Sequence, residues 1–362
     1  MKVLMVTPAF FPSLGGIEQH VMNLSKQLIS KNHAVDVLTA KIGDTSKCEK
    51  MYSVNVFRVN AGINSQQELS FKGRKLILPF FLKALSLQLK NKYDLIHVHC
   101  PFSLLSCLPL KLFGVPVVLT VHGNWINCVK GRRYYKKKIC LDYDINRCTE
   151  CMHSNKPVMN FKRWVLRNSA EACNAIIAVS SDVKNSIQLK KKKEIYVIPN
   201  VAFSEKIIAD KVRETKPPFN SEKKKILFLG SLIEEKGAKV LLETAKNIDA
   251  QFIFVYSYAE EKYLQEFTEF IKKNSLENVF LFHKVPNEEV RQFFIPLSDV
   301  IVLPSLWPEP CSSVVTEASS AKKPVIASNA GGFPDLISGN ETGLLFEPGN
   351  SAELEKKNKI NS

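Results

Sequence analysis

A chain of 362 residues is longer than a single hydrophobic core usually organises, so two domains are expected. With 45% hydrophobic and 23% charged residues, the composition is ordinary globular protein and excludes large-scale disorder. The formal net charge of +15 points to an anionic partner (nucleic acid, a membrane surface or a phosphorylated small molecule) without separating the three.

The chain opens on Met1-Lys2-Val3-Leu4-Met5-Val6-Thr7-Pro8, an apolar run with no cleavage region, which reads as a first strand and not a signal peptide. No run reaches the roughly 18 apolar residues of a membrane span. The segment from Leu76 to Leu89, carrying Pro79 and Lys83, reads as a half-buried core helix in preference to an amphipathic helix on a membrane surface. Nine cysteines without a signal peptide indicate a reducing compartment, hence a cytoplasmic protein, at the inner face of the membrane if it meets one.

Apolar, β-rich runs recur with helical segments between them. In the first half these are Lys2–Thr7, Ala34–Thr39, Val54–Val59, Leu95–His99, Val115–Val121, Ala175–Val179 and Ile195–Ile198, with helices such as Ile17–Ser30 and Phe161–Cys173. Residues 204–225, rich in Lys and Glu and holding Pro217-Pro218, break the pattern as a linker. A second series follows in Ile226–Leu229, Phe252–Val255, Val279–Phe282, Val300–Leu303, Val325–Ala327 and Leu344–Phe346, with helices such as Lys239–Asn247 and Glu260–Lys273. Continuous apolar strands alternating with helices specify parallel sheets covered on both faces. The predicted fold class is therefore α/β: two tandem Rossmann-like domains over 1–203 and 226–350, facing across a cleft, with a cysteine-rich insertion at 124–156 and a polar tail from 351 to 362.

Chemistry concentrates after Val300–Leu303. The stretch Pro304-Ser305-Leu306-Trp307-Pro308-Glu309-Pro310-Cys311-Ser312-Ser313-Val314-Val315-Thr316-Glu317 runs from strand through loop into helix, the geometry that binds phosphate through free backbone N–H groups. Glu309 in the loop and Glu317 in the helix are two carboxylates, each able to accept hydrogen bonds from a vicinal diol. Alone, two glutamates eight residues apart are weak evidence.

The stretch resembles the E-x7-E signature of the retaining glycosyltransferases of family 4, and other segments agree in order. Pro8 through Gly15-Gly16-Ile17-Glu18 is similar to that family's glycine loop; His97-Val98-His99, His122-Gly123, Ala178-Val179-Ser180-Ser181 and Ile198-Pro199-Asn200-Val201 follow. Then come Gly230-Ser231-Leu232-Ile233-Glu234-Glu235-Lys236-Gly237 and Gly331-Gly332-Phe333-Pro334-Asp335. The resemblance covers about residues 1 to 348 and implies a GT-B fold and retaining, metal-independent transfer of a sugar from a UDP- or GDP-sugar to a saccharide or lipid-linked acceptor, in cell-surface polysaccharide or glycolipid synthesis. It implies that Lys236 neutralises the donor diphosphate, that the N–H groups of Ser313 and Val314 cradle it, and that Glu317 holds the ribose. Glu309 would hold the transferred sugar, His122 would contact it and stabilise developing charge, and Gly15 and Gly16 would let the backbone approach the donor. No cofactor is implied for catalysis. The family's usual arginine is Ser231 here, so either Lys236 and helix N-termini suffice, another basic residue reaches in, or activity is reduced as in an inactive homologue.

Cys128, Cys140, Cys148 and Cys151 follow His122-Gly123, the last two as a CxxC pair. Four thiolates suit a structural zinc ion, with His153 as a substitute ligand; an iron–sulfur cluster or free thiols are the alternatives. Asp142-Tyr143-Asp144 lies in the same insertion and is discounted as a catalytic metal site. Lys130, Arg132, Arg133 and Lys136-Lys137-Lys138, with Trp125, Tyr134 and Tyr135, would suit a peripheral membrane contact or a lipid-linked acceptor, equally a nucleic acid, or no partner at all as a solvated loop. A zinc-stapled basic nucleic-acid-binding protein on a Rossmann-like scaffold is the competing reading, but it leaves Glu309, Glu317, His122 and Lys236 without a role; no nucleic-acid partner is expected.

Overall fold

Strand residues that are apolar at every position must be covered on both sides, and the computed structural model shows how. It describes residues 1–12, 15–65, 68, 73–200, 219–339 and 341–360; Ser13, Leu14, Val201 and most of the expected linker (204–218) lie outside them. The chain divides into two units, Met1–Arg132 with Asp142–Ala202, and Arg133–Leu141 with Phe203–Ser362.

The first unit holds an eight-stranded sheet. Its strands are β1 (Lys2–Val6), β2 (Ala34–Ile42), β3 (Cys48–Met51), β4 (Val54–Ile63), β5 (Leu95–Val98), β6 (Val117–Val121), β9 (Ala175–Ala178) and β10 (Ile195–Val197). The hairpin strands β7 (Tyr134–Tyr135) and β8 (Lys138–Ile139) form a separate two-stranded sheet. The order β10-β9-β6-β5-β1-β2-β4-β3 is parallel except for β3, which runs antiparallel along β4 at the edge. Helices α1 (Gly16–Ser30), α2 (Ile77–Asn91) and α3 (Lys156–Ala172) are the longest of this unit. Val3 and Met5 of β1 share a core with Val35 and Val37 of β2 and with Val21 and Met22 of α1.

The second unit holds β11 (Lys225–Leu229), β12 (Gln251–Tyr256), β13 (Val279–His283), β14 (Val300–Leu303), β15 (Val325–Ser328) and β16 (Gly343–Phe346), all parallel. Their order, β13-β12-β11-β14-β15-β16, is the 3-2-1-4-5-6 arrangement of a doubly wound dinucleotide-type sheet. Successive side chains alternate between two cores. Ile226, Phe228, Phe252 and Phe254 enter one, and Leu227, Leu229, Ile253 and Val255 the other. Helices α4 (Ala238–Thr244), α5 (Glu261–Lys273) and α6 (Ser313–Ser320) follow their strands.

Two segments depart from expectation. The tail expected to be merely polar forms helix α7 (Ser351–Ile360), which inserts Leu354 into the core shared by Phe252 and Phe346. The insertion expected wholly within the first domain is divided, because the β7–β8 hairpin groups with the second unit, where Lys137 Nζ lies 3.0 Å from Glu234 Oε1.

Candidate active site

In a doubly wound sheet, ligands bind beyond the carboxyl ends of the strands where the strand order reverses. In the second unit that point lies between β11 and β14, paired through Ile226–Val300 and Leu227–Ile301. The segments leaving these two strands are pressed together. Leu306 N donates to Glu235 O at 2.8 Å. Gly237 has φ +66°, and a Cβ there would lie 1.9 Å from Pro304 O, so only glycine allows the approach.

Glu309 is the hub. Lys236 Nζ donates to both its carboxylate oxygens, at 2.9 and 2.7 Å, and Trp307 Nε1 donates to Oε2 at 2.9 Å. The Lys236 ammonium also lies 5.6 Å from the Trp307 ring centre. The backbone of Glu309 is held from behind by the loop after β15. Gly332 N donates to Glu309 O at 2.7 Å, and Gly331, at φ +64°, would place a Cβ 2.3 Å from that same oxygen. The late glycine motif thus supports the glutamate loop by close backbone packing.

Helix α6 opens after Ser312, whose side chain makes no capping hydrogen bond to the first turn. Ser313 and Val314 occupy that turn, the part of a helix whose N–H groups lack intrahelical acceptors. One turn on, Glu317 is largely buried, and burial raises its carboxyl above the usual range while Arg291 opposes the shift. Arg291 Nη2 lies 3.5 Å from Glu317 Oε1. This arginine sits in a π-helical turn, Val290–Phe294, and sequence reasoning did not single it out. It supplies a second cation at the switch point, whereas position 231 carries serine.

The first unit reverses its strand order between β1 and β5. Gly15 is the N-cap of α1, and a Cβ on it would lie 2.4 Å from Glu18 Oε2, which folds back over the helix start. Gly16 has open space where a side chain would be. Past the ends of β5 and β6 lie His99 and His122, joined through Nδ1 and Nε2 at 3.1 Å. His20, from α1, packs edge-on against His122 with ring centres 4.9 Å apart, and His97 lies 4.3 Å from His99 while its Nε2 meets Thr120 Oγ1 at 2.7 Å. Four of the seven histidines therefore gather here. Burial holds all four below the usual imidazole range, His20 at about 4 and His97 at about 3, and neighbouring imidazoles reinforce the effect on His97, His99 and His122.

A model of Glycosyltransferase Family 4 matches residues 14–202, and one of Glycosyl transferases group 1 matches residues 211–359. The chain belongs to glycosyltransferase family 4. It is 26% identical over 363 residues to an uncharacterized glycosyltransferase of Methanocaldococcus jannaschii, covering 99% of this chain and 87% of that relative. It is 23% identical to a phosphatidylinositol N-acetylglucosaminyltransferase subunit of Saccharomyces cerevisiae, covering 98% of this chain and 73% of that one. Among solved structures, sucrose-phosphate synthase from Thermosynechococcus elongatus superposes with TM-score 0.76 at 18% identity, over 99% of this chain and 89% of the other. Anabaena HepE in complex with UDP-glucose superposes with TM-score 0.68 at 20% identity, over 100% and 89%. The fold is GT-B, as the motifs implied, and the activity is glycosyl transfer.

In this glycosyltransferase the structure brings Lys236, Glu309, Ser313, Val314 and Glu317 to one switch point and gathers His122 with other histidines at the other. The cysteines behave differently. Cys148 and Cys151 lie in a short helix, Ile145–Cys151, capped by Asp144, and Cys148 Sγ accepts from Arg163 Nη2 at 2.7 Å. Cys128, Cys148 and Cys151 belong to the first unit and Cys140 to the second. Among the described residues, the group of three or more potential metal ligands with donor atoms drawn together is His20, His99 and His122, not the thiols.

Proposed function

We propose that this glycosyltransferase moves a sugar from a nucleoside-diphosphate donor to a hydroxyl of a saccharide or lipid-linked acceptor with retention of anomeric configuration. The observation that carries the reading is the second unit's switch point, where one lysine, one uncapped helix N-terminus and two buried-edge glutamates converge. Lys236 and the N–H groups of Ser313 and Val314 neutralise the diphosphate as the glycosidic C–O bond breaks. Glu317, held by Arg291, accepts hydrogen bonds from the ribose. Glu309, already fixed by Lys236 and Trp307, accepts them from the transferred sugar. His122, kept neutral by burial, meets that sugar near its reacting carbon. The acceptor oxygen attacks from the face that the diphosphate leaves, and the leaving phosphate oxygen takes the acceptor proton.

The UDP-glucose bound by Anabaena HepE makes a UDP-sugar the first donor to test and a GDP-sugar the second. The yeast relative, named for a phosphatidylinositol acceptor, favours a lipid-linked acceptor for glycolipid or cell-surface polysaccharide synthesis. No helix of the described residues is long and apolar enough to cross a membrane. Contact with a membrane's inner face would fall to α2, which buries Phe80, Ala84 and Leu87 and exposes Leu78, Leu82 and Leu89. The tetrathiolate zinc site rests on the spacing of Cys128, Cys140, Cys148 and Cys151, with Cys148 and Cys151 one helical turn apart; zinc content of a Cys148→Ser variant tests it. Catalysis as written needs no metal, so turnover is expected to survive EDTA.

Incubating the protein with a panel of UDP- and GDP-sugars together with saccharide and lipid-linked saccharide acceptors, and following the anomeric proton by NMR, tests the central reading. Release of the nucleotide with an α product from an α donor supports it. A β product contradicts retention, and no consumption of any donor contradicts the function.

A further inference from the structure

The histidine cluster of the first unit has a geometry that sugar binding alone does not require. His20 comes from α1, His99 from the end of β5 and His122 from the end of β6, three elements that the strand order brings to one point. One ring nitrogen from each lies within 4.8 Å of the other two. The pair His99 Nδ1 and His122 Nε2 stands at 3.1 Å. Zinc–imidazole bonds of about 2.0–2.1 Å in a tetrahedron place ligand nitrogens about 3.4 Å apart, so one edge of such a site is close to length and the third nitrogen has at most about 1.4 Å to close. His99 is 1% exposed, so packing holds its ring, with Nδ1 turned toward His122. His97 is engaged with Thr120 and stands behind His99 as a packing neighbour.

We propose that His20, His99 and His122 form a three-imidazole site for a borderline divalent ion of the zinc, cobalt or nickel class. Three neutral nitrogen ligands leave a fourth position open and the ion's positive charge uncompensated, so an oxygen anion or water completes the shell. The functional consequence rests on the role given above to His122: an ion that captures His122 removes it from the transferred sugar, so metal and sugar transfer compete. The site is thus an inhibitory one, built from residues of the first unit.

The test uses the full chain with Cys148→Ser and Cys151→Ser, stripped of metal, and titrates it with Co²⁺. One ion per chain with visible ligand-field bands and no thiolate charge-transfer band is the expected result. His20→Asn is expected to weaken uptake at least about tenfold, His122→Asn to do the same, and His33→Asn, at a half-buried position outside the cluster, to change nothing. Thermal melting of each variant identifies one that has not folded, and either cluster variant suffices. No uptake, uptake indifferent to His20→Asn and His122→Asn, or thiolate bands alone would overturn the proposal. In the wild type, Zn²⁺ is expected to suppress sugar transfer and EDTA to restore it; cobalt uptake at the histidines without that suppression would leave the metal site standing and contradict the role of His122.

Discussion

The two units solve the same topological problem with opposite electrostatics. At the β11/β14 switch point the second unit places charges: Lys236 against Glu309, and Arg291 against Glu317. At the β1/β5 switch point the first unit places imidazoles that burial keeps neutral. A charged crevice suits a diphosphate, whose own charge exchanges with an existing ion pair. A neutral wall suits an uncharged ligand group better than a charged one. The lesson is that the strand order fixes where a site lies, and the side chains after each strand fix what it can hold.

The comparison breaks most sharply at Lys236. Lys236→Ala is expected to lower turnover by about 100- to 1,000-fold, the scale of losing one charge-stabilising group in a transition state, measured by nucleotide release. Gly331→Ala attacks the same loop from behind. Its φ of +64° and a Cβ 2.3 Å from Glu309 O act together, and a loss of about 1–3 kcal/mol for the strained residue is expected in urea unfolding, with activity falling alongside.

Acid sharpens the contrast. Unfolded histidines titrate near pH 6.5, whereas the folded chain holds His20 at about 4 and His97 at about 3. The unfolded chain therefore binds protons that the folded one refuses. Stability is full above pH ~6.5 and falls toward pH 4, by roughly 1.4 kcal/mol per pH unit for each such histidine. Glu317 has the opposite sign, because its raised carboxyl weakens stability as pH climbs through its range. Urea unfolding at pH 7 and pH 5 should show the histidine loss, and His20→Asn should shrink it. The smallest effect is that of Arg291→Ala, which leaves Glu317, the proposed ribose ligand, buried without its cation; nucleotide affinity is expected to fall about 5- to 10-fold, the scale of one charge-assisted contact.

Most of this fold was legible because parallel strands covered on both faces leave continuous apolar runs. Val300–Leu303 appears in the structure with the bounds read from the sequence, and others differ by a few residues at their ends. Strand β3, Cys-Glu-Lys-Met, was not legible, since a polar edge strand against a single neighbour carries no apolar signature. Helix α7 was hidden for a similar reason, with Leu354 a lone apolar anchor among Glu, Lys and Asn. At the site, Glu309, Glu317 and Lys236 announced themselves through motif order. Arg291 did not, because its π-helical turn has no sequence period of its own. The convergence of His20 with His99 and His122 depends on strand order, which no local spacing records; the His-x-His and His-Gly pairs were visible, but not their meeting.

The most direct test of the account is calorimetric titration of UDP- and GDP-sugars into the wild type and into Glu317→Ala. Binding of one nucleotide sugar by the wild type, weakened at least about 100-fold in the variant, is the predicted result, two contacts to a ribose diol being lost with a charged acceptor. Equal binding by both proteins would contradict the assignment of the second unit's switch point as the donor site.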